Sequence, residues 1–200
     1  MGNIATNRPQ KALAAVLFSL ACLSPIFILA HSSPTLAAEK AVPAEINPPG
    51  DIPDTQVFID YLSPLGFTMK VPEGWARSDR ADGASFVDKL DGVVVSLSKA
   101  ASAPTVESVK STAISDLKTA ERAVTVASVK AVKLPAGPVI RVVYTSNSEP
   151  NAVTNKQIRL ENERYLYFKD GKLVTLELYA PKGADNVDQW QLMSGSFRWN

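Results

Sequence analysis

The sequence predicts an α/β protein of the α+β type, with a central antiparallel sheet covered by helices on both faces. Three observations predict it. Asp91-Gly92 and Asp170-Gly171 each separate two β-prone runs, as the tight turns of antiparallel hairpins do. The strand through Tyr165-Leu166-Tyr167-Phe168 and its partner Leu173–Ala180 carry apolar or aromatic residues on both faces, the signature of a pair buried on both sides. Two segments, 105–120 and 186–197, switch to a helical period and supply a cover for each face.

Residues 1–38 read as an export leader. Arg8 and Lys11 precede the apolar run 12–30, Ser32 to Ala38 is a tail of mostly small residues, and no acid occurs before Glu39. Thr35-Leu36-Ala37-Ala38 offers cleavage after Ala37 or Ala38. Two rival readings keep the segment. The run approaches the ~20 residues of a membrane-spanning helix, although Pro25 interrupts it. Lipidation at Cys22 would need an aliphatic residue where Ser19 stands. All three place the folded domain outside the cytoplasm, and the last two give its only membrane attachment.

Cleavage removes Cys22 and His31, the only cysteine and histidine. The mature chain then has no Ser-His-Asp or Cys-His catalytic group and no ordinary zinc ligand set. It keeps about 160 residues, enough for one domain that needs no disulfides. Loss of Arg8 and Lys11 leaves 19 basic against 20 acidic residues, without the basic footprint of a nucleic-acid binder.

Residues 39–56 contain four prolines and little periodicity, and read as a disordered or extended linker that spaces the domain. The domain proper runs over 57–200. Gly66–Pro72 alternates as a strand does and ends in the turn Pro72-Glu73-Gly74-Trp75. Residues 84–90 and 93–99 form the first hairpin around Asp91-Gly92. In 105–120, Val106, Val109, Ala113, Leu117 and Ala120 share one helical face, with Thr105 as N-cap. Strands follow at 122–133 and 138–146, a polar loop at 146–155, and the second hairpin over 156–180. Val187, Trp190, Met193 and Phe197 stripe a last helix, capped by Asp185 or Asn186.

Gly66-Phe67-Thr68-Met69-Lys70-Val71-Pro72-Glu73-Gly74-Trp75 resembles the opening strand of the PsbP-like proteins. Ala180-Pro181-Lys182-Gly183-Ala184-Asp185-Asn186-Val187-Asp188-Gln189-Trp190, with Ser196-Phe197-Arg198-Trp199, resembles their closing helix. The family is that of the photosystem II extrinsic protein and its bacterial relatives, and shares a fold with the Mog1 nuclear-transport factor. The resemblance covers about residues 57–200. It implies an α-β-α sandwich and a non-enzymatic, extracytoplasmic or lumenal protein that helps assemble or stabilise a membrane complex. Histidines implicated in metal or cofactor support in photosynthetic members have no counterpart in the mature chain.

Several residue groups are candidate sites. Arg159, Glu161, Glu163 and Arg164 form a mixed-charge stretch on a strand, either a partner-docking surface or cross-strand ion pairs. Asp79, Asp82, Asp88 and Asp91 are either solvated loop charges or an oxygen-ligand cation site, and Asp185 and Asp188 either cap the last helix or bind a cation. Ser96-Leu97-Ser98-Lys99 has the spacing of a Ser-Lys dyad but lies on a strand. Trp75, Trp190 and Trp199 either line a ligand pocket or fill the core. The expectation is no enzyme, no cofactor and no metal, and an extracytoplasmic or membrane protein as partner. The rival expectation is a carrier holding an apolar ligand beside Trp190 or the Tyr165–Phe168 strand.

Overall fold

The computed structural model describes residues 39–200. The leader, its cleavage site and Cys22 lie outside the described residues. Among the described residues, ten strands form two antiparallel sheets. β3 (Ala76–Arg80), β4 (Gly83–Asp88), β5 (Asp91–Lys99), β6 (Arg122–Leu134), β7 (Gly137–Asn147), β8 (Arg159–Lys169) and β9 (Lys172–Pro181) make a seven-stranded sheet in the order β3-β4-β5-β9-β8-β7-β6. β1 (Phe58–Ser63), β2 (Phe67–Pro72) and β10 (Arg198–Trp199) make a small sheet with β2 in the middle.

The second hairpin forms as its sequence demands. Lys169 pairs with Lys172, and Asp170 and Gly171 take φ of 50° and 74°, the two left-handed positions of a tight hairpin turn. The first hairpin differs from the expectation. Asp88 pairs with Asp91, so the turn is Lys89-Leu90, with Lys89 at φ 52°. Asp91 and Gly92 belong to the strand. Gly92 is there because the Tyr179 ring lies on its backbone, and a Cβ would sit 2.1 Å from that ring. The glycine serves a close approach rather than a turn.

The 106–120 helix comprises α1 (Val106–Ser108), a π-helical stretch (Val109–Ala113) and α2 (Ile114–Ala120). Thr105 caps it in a reciprocal box with Ser108, as the sequence indicates for Thr105. Val109 and Leu117 pack on Ile140, Val142 and Tyr144 of β7 and Leu166 of β8, whereas Ala120 is exposed.

On the opposite face, Val93, Val95, Val174, Leu176, Leu178, Tyr165 and Tyr167 meet two covers. One is α3 (Val187–Ser196) with Trp190 and Met193; the other is the small sheet with Phe67, Met69 and Val71. The expectation that a helix alone covers this face therefore needs correction. A ten-residue helix is about 15 Å long, and seven strands spread over roughly 30 Å. Two further departures follow from packing. Val187 is 59% exposed and leaves the expected stripe, while Gln189, Ser194 and Ser196 are buried. Asn186 is the N-cap, but its side chain makes no capping bond because it is used elsewhere. The architecture is a mixed α+β fold on one large antiparallel sheet with few helices.

Residues 39–56, expected as a spacer, form no helix or strand, yet they lie against the domain. Ile52 is buried in the core, and Gly50 approaches Pro181 and Asp91 so closely that a Cβ would meet them at 2.7 and 2.9 Å.

Candidate functional site

β8 alternates between the two faces of the sheet. Arg159, Glu161 and Glu163 share the α3 face with Tyr165, while Arg164 shares the other face with Leu166. The four charges singled out in the sequence are therefore not one surface. Arg159 is buried. Its guanidinium donates to the carbonyls of Ala123 and Thr145, to Asn147 Oδ1, and to the hydroxyls of Thr125 and Thr145. It braces the β6 bulge, where Ala123 has φ 47° and the register shifts between Arg122 and Thr125. Burial without a carboxylate partner lowers its pKa. Glu163 accepts from Arg141 Nε at 3.0 Å and from the Tyr165 hydroxyl. Glu161 is half-buried, and burial raises its pKa. The four residues thus do not share one exposed face. β8 is an interior strand, and Arg159, Glu163 and Arg164 find cross-strand partners on β7 and β9.

Arg164 anchors a network that sequence spacing does not show. Register sets it opposite Glu177 on β9, and its Nε donates to Glu177 Oε2 at 2.8 Å. Its Nη2 donates to Glu121 Oε1 at 2.9 Å, and the buried Tyr144 hydroxyl donates to the same oxygen at 2.8 Å. Glu121 is brought there as the residue that closes α2. Two carboxylates thus share one guanidinium, leaving an excess of one negative charge. Burial first, and then the Glu177 charge, pushes the Glu121 carboxyl up to about 7. The Tyr144 hydroxyl is raised as well, chiefly by burial. The cluster can hold or release a proton near neutral pH. The buried Ser146 hydroxyl also hydrogen-bonds the Glu121 carboxylate, which favours its ionised form.

The network separates two grooves. The larger, about 680 Å³, opens at the end of the helix. Asn162, Leu160 and Tyr179 line the sheet side, Glu121 and Arg122 one wall, and Gln157 of the loop after β7 another. The smaller, about 340 Å³, lies between the helix and the sheet and is lined by Val109, Ala113, Leu117, Val142 and Leu166, with Arg164 also reaching it.

The other candidates resolve simply. Ser96 and Lys99 are three residues apart on β5 and therefore point to opposite faces, so they form no dyad. Asp79 and Asp82 lie at one end of β4 and Asp88 and Asp91 at the other, roughly 17 Å away. Asp79 pairs with Arg77, and Asp82 with Arg80. Among the described residues no three acidic side chains are arranged to hold a metal ion. Asp91 is the exception to solvation. Its Oδ1 is buried without a hydrogen-bond partner, and burial, reinforced by Asp88 and Asp51, pushes its carboxyl up to about 7. Asp185 donates its N–H to Asp51, and Asp188 sits in the first turn of α3. Trp190 is core, and Trp75 and Trp199 pack against that core. A small pocket of about 110 Å³ adjoins Trp190.

The fold and site define a mixed α+β protein on a large antiparallel sheet, with a polar groove where its longer helical segment ends. The fold is the Mog1/PsbP fold. The solution structure of cyanobacterial PsbP (CyanoP) from Synechocystis sp. PCC 6803 superposes with a TM-score of 0.53 at 15% identity, over 76% of this chain and 98% of that one. The Saccharomyces cerevisiae Ran-binding protein Mog1p gives 0.49 at 11% identity, over 72% and 95%. No protein-family model matches the chain, and no curated protein does. Among the described residues no helix is long and apolar enough to cross a membrane.

Proposed function

We propose that this is an exported, non-enzymatic accessory protein that binds and supports an extracytoplasmic or lumenal membrane protein complex. It docks through the larger groove. One observation carries the reading: the groove is a wide, open trough walled by carboxylates, amides and a guanidinium. Such a surface suits recognition of an extended polar chain segment. The leader and the CyanoP-like fold support the compartment and the accessory role. Cross-linking in the host envelope tests this. A Tyr179→Ala variant should lose a membrane protein captured by the parent chain, whereas an Arg77→Ala variant on the far edge strand should keep it. Equal capture by both would sink the docking site.

A second reading, a carrier of a small apolar ligand, is favoured by the apolar groove of about 340 Å³ beside Leu166. It predicts a ligand of a few hundred daltons retained in native mass spectrometry and lost on Leu117→Trp.

A further inference from the structure

Two asparagine side chains grip the 39–56 segment in the same way. Asn147, at the end of β7, accepts from the Val42 N–H at 3.0 Å and donates to the Lys40 carbonyl at 3.0 Å. Asn186, at the start of α3, accepts from the Ile52 N–H at 2.6 Å and donates to the Gly50 carbonyl at 2.8 Å. Each amide satisfies the carbonyl of one residue and the N–H of the residue two further on. Each therefore reads extended backbone and no particular side chain. Between the clamps the Ile46 side chain is 92% exposed, while Glu45 lines the larger groove.

Ahead of the first clamp, the Glu39 carboxylate meets donors from three elements. Arg122 Nη1 lies at 2.7 Å, Asn147 Nδ2 at 2.9 Å and Gln157 Nε2 at 2.6 Å. All three of these residues line the larger groove. Their hydrogen bonds hold the Glu39 carboxyl down at about 2. The side chains of Lys40 and Ala41 face solvent. The chain is thus recognised as a carboxylate followed by extended backbone.

We propose that Arg122, Asn147 and Gln157 form a binding cradle for the carboxylate of an extended acidic peptide, and that Glu39 fills it as a tethered stand-in for such a segment on the partner. Three features support exchange over a fixed brace. The second clamp, with Ile52 in the core, holds the segment when the first is empty. Arg122 and Glu39 remain partly exposed, so their ion pair opens directly to solvent. The adjoining groove has room for the rest of an incoming peptide. The proposal rests on the groove being the docking surface and names the chemistry it accepts. Its test needs no membrane partner, so the two ideas fail separately.

The test uses the full chain and an acetylated peptide of the sequence of residues 39–46. The side-chain amide signals of Asn147 and Gln157 are followed by NMR during titration. In Glu39→Ala the peptide should produce saturable shifts. The parent chain should bind it at least tenfold more weakly, because a tethered competitor acts at roughly millimolar effective concentration. Adding Arg122→Ala to Glu39→Ala should abolish binding, as should a peptide with Gln in place of its first Glu. No shift in Glu39→Ala, or equal affinity in Glu39→Ala and the parent, would overturn the cradle. Protection of the Ile52 N–H from exchange should persist in Glu39→Ala, and its loss would overturn the independence of the two clamps.

Discussion

The two faces of the large sheet solve the same covering problem differently. On the α3 face, small sheet and helix together seal an aromatic core. Phe197 stacks on Tyr167 at 4.1 Å and on Phe67 at 5.4 Å, and all three are almost wholly buried. On the other face a helix with a π-helical stretch covers only part of the sheet. Its apolar cluster has six buried members, and beyond the helix end the sheet carries Arg164, Glu177, Asn162 and Tyr179 instead. Stability is concentrated on the sealed face. The other face carries both grooves and the ion-pair network, and so has surface left for a partner.

The largest expected effect tests that division directly. Phe197→Ala should cost about 4 kcal/mol, because the close-packed core cannot collapse into the hole. Leu117→Ala, equally buried but beside a groove, should cost about 2 kcal/mol, the low end for such a truncation. Urea unfolding midpoints measure both. Equal losses would mean that the helix face is packed as tightly as the other.

Next comes the ion-pair network. Arg164→Met leaves Glu121 and Glu177 facing each other without their shared cation, and should cost about 3 kcal/mol at pH 8. At pH 5 Glu121 keeps its proton and the loss should be clearly smaller. The parent chain has its own slope. A carboxyl raised to about 7 in the folded state keeps a proton that the unfolded chain releases at its ordinary, lower pKa. Its contribution is therefore full below that ordinary value and is lost as pH rises toward 7. A loss on Arg164→Met that is the same at both pH values would show that Glu121 is not the titrating member.

Local signals on both faces are legible in the sequence, and the long-range network of the open face is not. The Asp170-Gly171 turn, the Thr105 cap and the stripe through Trp190, Met193 and Phe197 are local signals, written within a few residues of where they act. The Arg164–Glu177–Glu121–Tyr144 cluster is written across residues that meet only through strand register and a helix end, so no spacing announces it. Arg159 misleads for the same reason. In sequence it is one of four neighbouring charges, whereas on β8 it turns inward to brace a bulge. Asp91-Gly92 carries the right residues for a turn, and the Tyr179 ring that actually requires the glycine is far away in the chain. Asn186 looks like a cap, and its amide instead binds residues more than a hundred positions earlier.

Asp91 extends the comparison to the segment that crosses from the sealed core toward the groove. Its buried Oδ1 lacks a partner beneath Gly50, so an amide should be tolerated better than a carboxylate once the acid ionises. Asp91→Asn should stabilise by about 1 kcal/mol at pH 8 and change little at pH 5, where the folded carboxyl is already protonated. Thermal unfolding at the two pH values reads this. A loss of stability at pH 8 would show that the ionised carboxylate is satisfied in the folded chain.

The smallest effect is the most specific. Tyr144→Phe removes only the hydroxyl that donates to Glu121 at 2.8 Å and leaves the ring beneath the Arg164 guanidinium. The donated bond favours the ionised carboxylate, so its loss should move the Glu121 carboxyl further above 7. The pH range over which stability declines should then extend upward, with a cost of about 1 kcal/mol at pH 8 and almost none at pH 5. An NMR titration of the Glu121 carboxyl carbon measures the midpoint. An upward shift would establish that the open face is tuned by one hydroxyl from the apolar cluster beneath it. An unchanged midpoint would mean that burial, Glu177, Arg164 and Ser146 set the proton affinity without the Tyr144 hydroxyl, and that the apolar cluster and the ionic network on this face act independently.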